Sequence, residues 1–263
     1  MMNEKSTFLG EDGLIYCSVC KESKEAFYPS DFLFGLKKHP RQCACDRKER
    51  EEMERYFREK ERKQLIERNR KNCFEELEML QCTFQNSTED NFAFQTAKKY
   101  VSNWKEMKKK RMGYLLWGPV GTGKSYLARC VANALLDCGV TVKMMNFSGI
   151  LNDLFAAEDK TEYIRCLMKY DLLIIDDLGA ERNSEYATEI VFSVVDARYR
   201  SGKPLIITTN LSLVKMKSET DAGKRRIYDR ILEMCVPMKM DGDSKREKLA
   251  TNKMHDMKEI LNL

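Results

Sequence analysis

From about residue 110 onward, short unbroken apolar runs are separated by stretches in which apolar residues return every three or four positions. The runs are 114–117, 140–145, 171–175 and 204–209, with a weaker one at 236–240. Runs of this length suit strands buried on both faces. Between them, Lys124 to Cys138 carries Leu127, Val131, Ala134 and Leu135 on one side of a helix. Glu185 to Arg200 turns Ala187, Ile190, Val191, Val194 and Val195 inward, with Gly202 as a stop. This order predicts an α/β fold, a parallel sheet flanked by helices on both faces, over roughly residues 76–263. In such sheets the ligand sits at the C-terminal edge of the strands.

The chain ahead of this region follows a different pattern. Asp46 to Lys71 contains 19 charged residues in 26, with both signs interleaved and no Gly or Pro. Glu49, Glu51, Glu54 and Glu59 alternate with Arg50, Arg55, Arg58 and Lys63, so i,i+3 and i,i+4 pairs support a solvated helix. Met53, Phe57 and the Leu65–Ile66 pair give it a thin apolar edge. An exposed linker helix over 47–75 is expected, with a partner-binding or coiled segment as the alternative. Acids nearly balance bases, which argues against a dedicated nucleic-acid arm.

Residues 1–46 carry four of the ten cysteines, as Cys17-Ser-Val-Cys20 and Cys43-Ala-Cys45. Each pair can present two thiolates from a tight turn, and two turns together close a tetrahedral Zn²⁺ site. A segment this small has little core, so a metal would supply much of its folding energy. His39 is a substitute ligand, although four thiolates complete the set. Plain buried cysteines and a redox Cys-x-x-Cys are the competing readings; Cys17 lacks the βαβ surroundings of the latter. Three regions are therefore expected: a zinc-binding module over 1–46, the linker helix over 47–75, and the α/β domain over 76–263.

Composition narrows the setting. A hydrophobic fraction of 43% is enough for an ordinary core, and a net charge of +5 permits nucleic-acid contact without requiring it. The N-terminus lacks the basic start and apolar run of a signal peptide. No apolar stretch approaches the ~20 residues of a membrane helix. Clustered thiols without a secretion signal point to a reducing cytoplasm and to no membrane partner.

The chemistry is concentrated at Gly118-Pro119-Val120-Gly121-Thr122-Gly123-Lys124-Ser125, a complete Gly-x-x-x-x-Gly-Lys-Ser phosphate loop. It follows the run Tyr114–Trp117 and opens the helical pattern at Lys124, which is the context the motif needs. Its glycines let backbone N–H groups turn toward phosphate oxygens, and the helix start adds its positive dipole end. Lys124 reaches the β- and γ-phosphates of ATP, and Ser125 offers a hydroxyl to Mg²⁺.

Further along, Asp171–Asp177 reads as a buried strand ending in two carboxylates. Asp176 is placed to hold Mg²⁺ through water together with Ser125. Asp177 is placed to orient or deprotonate the attacking water. The next strand, Pro204–Thr209, ends at Asn210, which can hydrogen-bond the γ-phosphate and that water without adding charge.

The set Gly118–Ser125, Leu172–Asp177 and Ile206–Asn210, in this order and spacing, resembles the AAA+ ATPases. Leu173–Glu181 and Pro204–Leu211 are similar more narrowly to bacterial replicative helicase loaders of the DnaC/DnaI type. The transposition helper ATPases of insertion sequences share these segments. The resemblance covers about 180 residues at the C-terminal end. It implies that Arg230, in Lys224–Arg230, is an arginine finger reaching a neighbouring subunit's γ-phosphate, with Arg226 one turn earlier. It also implies that Arg246, in Asp243–Arg246, contacts the γ-phosphate from its own subunit. For both, a solvated basic face or contact with DNA phosphate is the alternative. The general pattern has Asp-Glu where this chain has Asp176-Asp177, which suits slow, switch-like hydrolysis. Few residues follow Met240, so a reduced C-terminal lid is expected.

What the resemblance implies is an ATP-dependent loader that delivers the replicative DNA helicase hexamer onto single-stranded DNA. The N-terminal module would grip the helicase, and the ATPase domain would self-associate through Arg230. A transposition helper ATPase and an ATP-gated DNA-binding scaffold are the alternatives. The basic run Lys105–Arg111 is a candidate DNA contact, with a solvated loop as its competitor.

Overall fold

Two antiparallel hairpins begin the chain in the computed structural model, which describes residues 6–28, 37–74, 76–179 and 184–261. Strand β1 (Thr7–Leu9) pairs with β2 (Ile15–Cys17), and β3 (Glu25–Phe27) pairs with β4 (Lys38–Pro40). Helix α1 (Ala44–Cys73) follows without a break, and its first 21 residues are nearly all at the surface, as their alternating charges require. The chain divides into two compact units inside this helix, one through Gln64 and the other from Leu65. In the first unit only Leu14, Cys17 and Cys43 are buried apolar residues among those described, so packing alone supports it weakly.

The second unit opens with the end of α1, a 3₁₀ turn (Leu77–Gln81), α2 (Phe92–Ser102) and α3 (Trp104–Lys109). Strand β5 (Gly113–Trp117), α4 (Lys124–Asp137), β6 (Val142–Asn146), α5 (Phe147–Ala156) and α6 (Lys160–Lys169) come next. Then follow β7 (Leu172–Leu178), α7 (Glu185–Ser201), β8 (Leu205–Thr209) and α8 (Leu213–Lys217). The last elements are α9 (Ala222–Met234), β9 (Cys235–Lys239) and α10 (Lys245–Leu261). Each helix from α5 to α9 begins after a side-chain oxygen that accepts a backbone N–H, from Asn146, Asp159, Ser184, Ser212 and Asp221 in turn.

The five long strands form one parallel sheet in the order β6-β7-β8-β5-β9. Their side chains alternate between two cores. Leu116, Leu172, Ile174 and Ile206 pack with α2 and α4, and Leu115, Leu173, Ile175, Leu205 and Ile207 pack with α5, α7 and α9. Burial on both faces is why these strands read as unbroken apolar runs. The α/β fold with a parallel sheet flanked by helices is thus the one the sequence predicts. The chain order reverses between β5 and β8, and the crevice at their C-terminal ends is where the phosphate loop falls.

The tip of β7 departs from regular pairing. Its register against β8 shifts between Ile175 and Leu178, and Asp177 takes a left-handed backbone with φ 56°. In a regular strand Asp177 would point to the α5/α7 face with Leu173 and Ile175. The bulge re-aims it.

Candidate functional site

Residues 118–123 join β5 to α4 with three glycines at positive φ: Gly118 (149°), Gly121 (84°) and Gly123 (92°). Space constrains two of them as well as conformation. A Cβ on Gly118 would run into the Met240 carbonyl at the end of β9, and one on Gly121 into the Ser244 hydroxyl. The loop is closed internally by Thr122, whose hydroxyl donates to the Pro119 carbonyl at 3.0 Å. Val120 is exposed at its crest. Lys124 is buried, and its Nζ donates to the carbonyls of Gly118 (3.0 Å) and Pro119 (2.7 Å). Burial lowers its pKa, opposed by the nearby Asp177 and Asp176 carboxylates. An ammonium held by two carbonyls beside the first turn of a helix is prepared to exchange them for phosphate oxygens.

A cavity of about 500 Å³ opens over this loop. Lys124, Ser125, Asp177, Asn210 and Arg246 all line it, so residues from α4, β7, the end of β8 and α10 converge. Burial and the neighbouring Asp176 carboxylate raise the pKa of Asp177, while Lys124, Arg246 and Arg129 oppose the shift. Asp176 stands on the α4 face of β7. Its Oδ1 accepts from the Thr208 hydroxyl at 2.5 Å, and the same hydroxyl oxygen accepts from the Asp177 N–H at 2.9 Å. Thr208, wholly buried on β8, therefore fixes both acids. Asp176 lines a separate small pocket of about 60 Å³ with Arg129 and Asn146, not the large cavity.

The cavity has walls that the sequence patterns did not single out. Asn86, Ser87, Thr88 and Glu89, between the 3₁₀ turn and α2, face the phosphate loop across it, together with Tyr126 and Lys245. This segment is anchored by α4, because Asn133 Nδ2 donates to the carbonyls of Met79 (3.0 Å) and Cys82 (2.8 Å). Lys245 ties the start of α10 to both walls: its N–H donates to the Gly121 carbonyl at 3.0 Å and its Nζ pairs with Glu89 at 2.9 Å.

Arg230 lies elsewhere. Its guanidinium pairs with Asp196 of α7 at 2.8 Å and lies over the rings of Phe192 and Tyr199. Arg226, one turn earlier on α9, lines another surface pocket with Glu185 and Glu189. Of the run Lys105–Arg111, Lys108 is committed to Asp171 at 2.7 Å. Ala180 and Glu181, which end the segment matched to helicase loaders, lie outside the described residues.

In the N-terminal unit the sulfurs of Cys17, Cys20, Cys43 and Cys45 all lie within 4.8 Å of one another. Cys17 and Cys20 flank a turn in which the Lys21 N–H donates to the Cys17 carbonyl, with Lys21 at φ 60°. Cys43 and Cys45 straddle the first turn of α1. Glu22 joins the two turns, accepting from the Ala44 N–H at 2.7 Å and pairing with Arg47 at 3.0 Å. Backbone N–H groups of Cys45 and Glu22 pull the Cys20 thiol down to about 6, and burial pushes Cys43 up to about 11. Four thiols converging on one point, three of them (Cys17, Cys20 and Cys43) with backbone N–H donors on sulfur, fit a tetrahedral Zn²⁺. His39 is not among them: its ring lies tilted against that of Tyr28, with centroids 4.8 Å apart.

The family model described as "IstB-like ATP binding protein" matches residues 49–253. The replicative helicase loader DnaC of Escherichia coli (strain K12) is 30% identical over 123 residues, 45% of this chain and 49% of that protein. An insertion-sequence ATP-binding protein of Sinorhizobium fredii is 34% identical over 99 residues, 36% of this chain and 33% of that one. The chain spans about half the length, or less, of the curated relatives it matches. A crystal structure of DnaI superimposes with a TM-score of 0.56 at 23% identity, covering 68% of this chain and 99% of that one, which establishes the shared fold.

Proposed function

This chain belongs to the IstB-like ATP binding protein family, and we propose that it is an ATP-dependent loader that delivers a replicative DNA helicase onto single-stranded DNA in the cytoplasm. The observation that carries this reading is the pairing of the two units. A phosphate-loop α/β domain is preceded by a four-thiol module on a long charged helix, and such a module suits a grip on a partner protein. Among the described residues no helix is long and apolar enough to cross a membrane.

In this reading the Gly118–Gly123 loop and Lys124 bind the phosphates of ATP, and the Asn86–Glu89 wall with Tyr126 encloses the rest of the nucleotide. Ser125 and Asp176 would hold Mg²⁺, which when bound offsets phosphate charge. Asp177, re-aimed by the bulge into the cavity, orients the attacking water and takes its proton; its raised pKa suits a base. Asn210 and Arg246 contact the γ-phosphate from the same chain. Arg230 acts on a neighbour's nucleotide, so self-association completes the site. The four cysteines would hold Zn²⁺, a structural ion that orders the helicase-gripping module.

A second reading, a transposition helper ATPase, is favoured by the similarity to the insertion-sequence protein. Co-migration on a sizing column, with ATP and Mg²⁺, separates the two. A complex of the full chain with its host's replicative helicase, lost in Cys43→Ser while ATP binding persists, supports the loader. Absence of that complex, with co-migration of a transposase instead, overturns it.

A further inference from the structure

Arg129 is a charged member of the nucleotide cavity that none of the motifs accounts for. It sits on α4 one turn beyond Ser125, on the same helix face. It lines both the large cavity and the small pocket that holds Asp176, so its side chain stands between the phosphate loop and the two acids at the tip of β7. Its Nε is buried and has no hydrogen-bond partner among the described residues. A buried donor without a partner is costly, and a planar guanidinium in that condition is suited to receive an oxyanion.

The charges around it define which anion. Lys124, Arg129 and Arg246 line the large cavity with Asp177, and Arg129 also lines the small pocket with Asp176. Lys245 is already paired with Glu89. Asn146, the remaining polar group of the small pocket, uses its side-chain oxygen to cap α5. Three cations against two carboxylates leave one positive charge in excess, and Arg129 supplies it. Without Arg129 the group is neutral, and a tetra-anionic triphosphate would enter a site with no net positive charge unless a divalent ion came with it.

We propose that Arg129 is a phosphate-binding residue that allows the site to hold ATP in the absence of Mg²⁺. The proposal rests on the nucleotide reading given above. Near Asp176 a fixed guanidinium both attracts phosphate and repels a divalent cation, so its net effect on ATP binding shrinks when Mg²⁺ is present. Loss of Arg129 therefore strengthens the thermodynamic coupling between ATP and Mg²⁺, and the coupling is reciprocal.

The test is calorimetric titration of the full chain with ATP, once in excess EDTA and once in excess Mg²⁺. Arg129→Gln removes the charge and keeps a polar side chain. Its affinity is expected to fall by about tenfold or more in EDTA and by less than about threefold in Mg²⁺, since one unit charge at a semi-buried site is worth at least that factor. Arg129→Lys, which restores charge, should stay within about threefold of the parent in both solutions by the same reasoning. Equal losses in the two solutions, no loss in EDTA, or a lysine variant that behaves like glutamine would each overturn the proposal. Thermal unfolding of both variants checks that they fold, and the lysine variant decides the matter where glutamine does not. Lys124→Ala should lose ATP in both solutions. A parent chain that binds no ATP in either one overturns the nucleotide reading together with this one. A parent that binds, with an unaffected glutamine variant, overturns the role of Arg129 alone.

Discussion

Arg198 shows how a charged side chain can serve the fold rather than the chemistry. It is completely buried on α7, and its guanidinium donates to the carbonyls of Tyr170 (2.9 Å), Asp171 (2.9 Å) and Pro204 (3.1 Å from Nε). Burial lowers its pKa to about 10, still well above neutral, so it stays charged. Those three carbonyls belong to the entries of β7 and β8, and one planar group fixes the spacing of two neighbouring strands. Arg198→Leu removes the donors and leaves the carbonyls buried, which should cost about 3 kcal/mol or more. Urea unfolding should show a lowered midpoint with an unchanged slope. The entries lie at the opposite end of the strands from the cavity, so ATP affinity of the folded variant should match the parent. Gly118→Ala has the contrary signature. The new methyl meets the Met240 carbonyl, and relief of that clash must move either the loop or the end of β9. ATP affinity should fall by tenfold or more, as a displaced loop loses about 1.4 kcal/mol or more of phosphate contact, while urea stability changes less than in Arg198→Leu.

At the scale of elements the two units rely on different sources of stability. Helix α4 alone buries Leu127, Val131, Leu135 and Leu136 against the sheet, at roughly 1.5–3 kcal/mol each. The β1–β4 module has no comparable set among its described residues, and its two turns meet at four sulfurs. The purified chain should therefore carry one zinc, measurable by atomic absorption. A strong chelator should expose the four thiols to a thiol reagent while the thermal transition of the α/β unit stays in place. A single cooperative loss of both units would contradict that separation. This contrast also explains what the sequence disclosed. The five sheet strands were legible because burial on both faces leaves unbroken apolar runs, and their observed limits differ from the runs by at most three residues, the largest being β7's extension to Leu178. Strands of three residues such as β1 to β4 are too short to show any period, so only their cysteines were visible. The phosphate loop was legible because its backbone demands particular residue types. The Asn86–Glu89 wall was not, since it shapes a cavity with an irregular segment and carries no fixed spacing. The bulge that turns Asp177 toward Lys124 was equally hidden, because Asp177 is an ordinary residue in an unusual conformation.

For the whole molecule the decisive fact is that the two arginines assigned to the γ-phosphate stand in different places. Arg246 lines the cavity of its own chain, whereas Arg230 is held on α7 by Asp196, Phe192 and Tyr199 and does not line that cavity. If Arg230 serves a neighbour, a working site requires an intact phosphate loop from one chain and an intact Arg230 from the next. Lys124→Ala and Arg230→Ala should then each lack ATP turnover alone, with Arg230→Ala still binding ATP. Mixed together they should regain part of the activity, because some interfaces join the sound loop of an Arg230→Ala chain to the sound Arg230 of a Lys124→Ala chain. A mixture of Lys124→Ala with Arg246→Ala should regain none, because both defects fall within single cavities and no interface brings together a complete set. Turnover of the two mixtures, measured with single-stranded DNA present, reads this directly. Recovery in neither mixture would return Arg230 to a structural role on α7, and recovery in both would place Arg246 between chains as well. The ion pair with Asp196 gives a further expectation in the same assay. Arg230 must leave that carboxylate to reach a phosphate, so Asp196→Asn should ease its release and raise turnover of the otherwise intact chain.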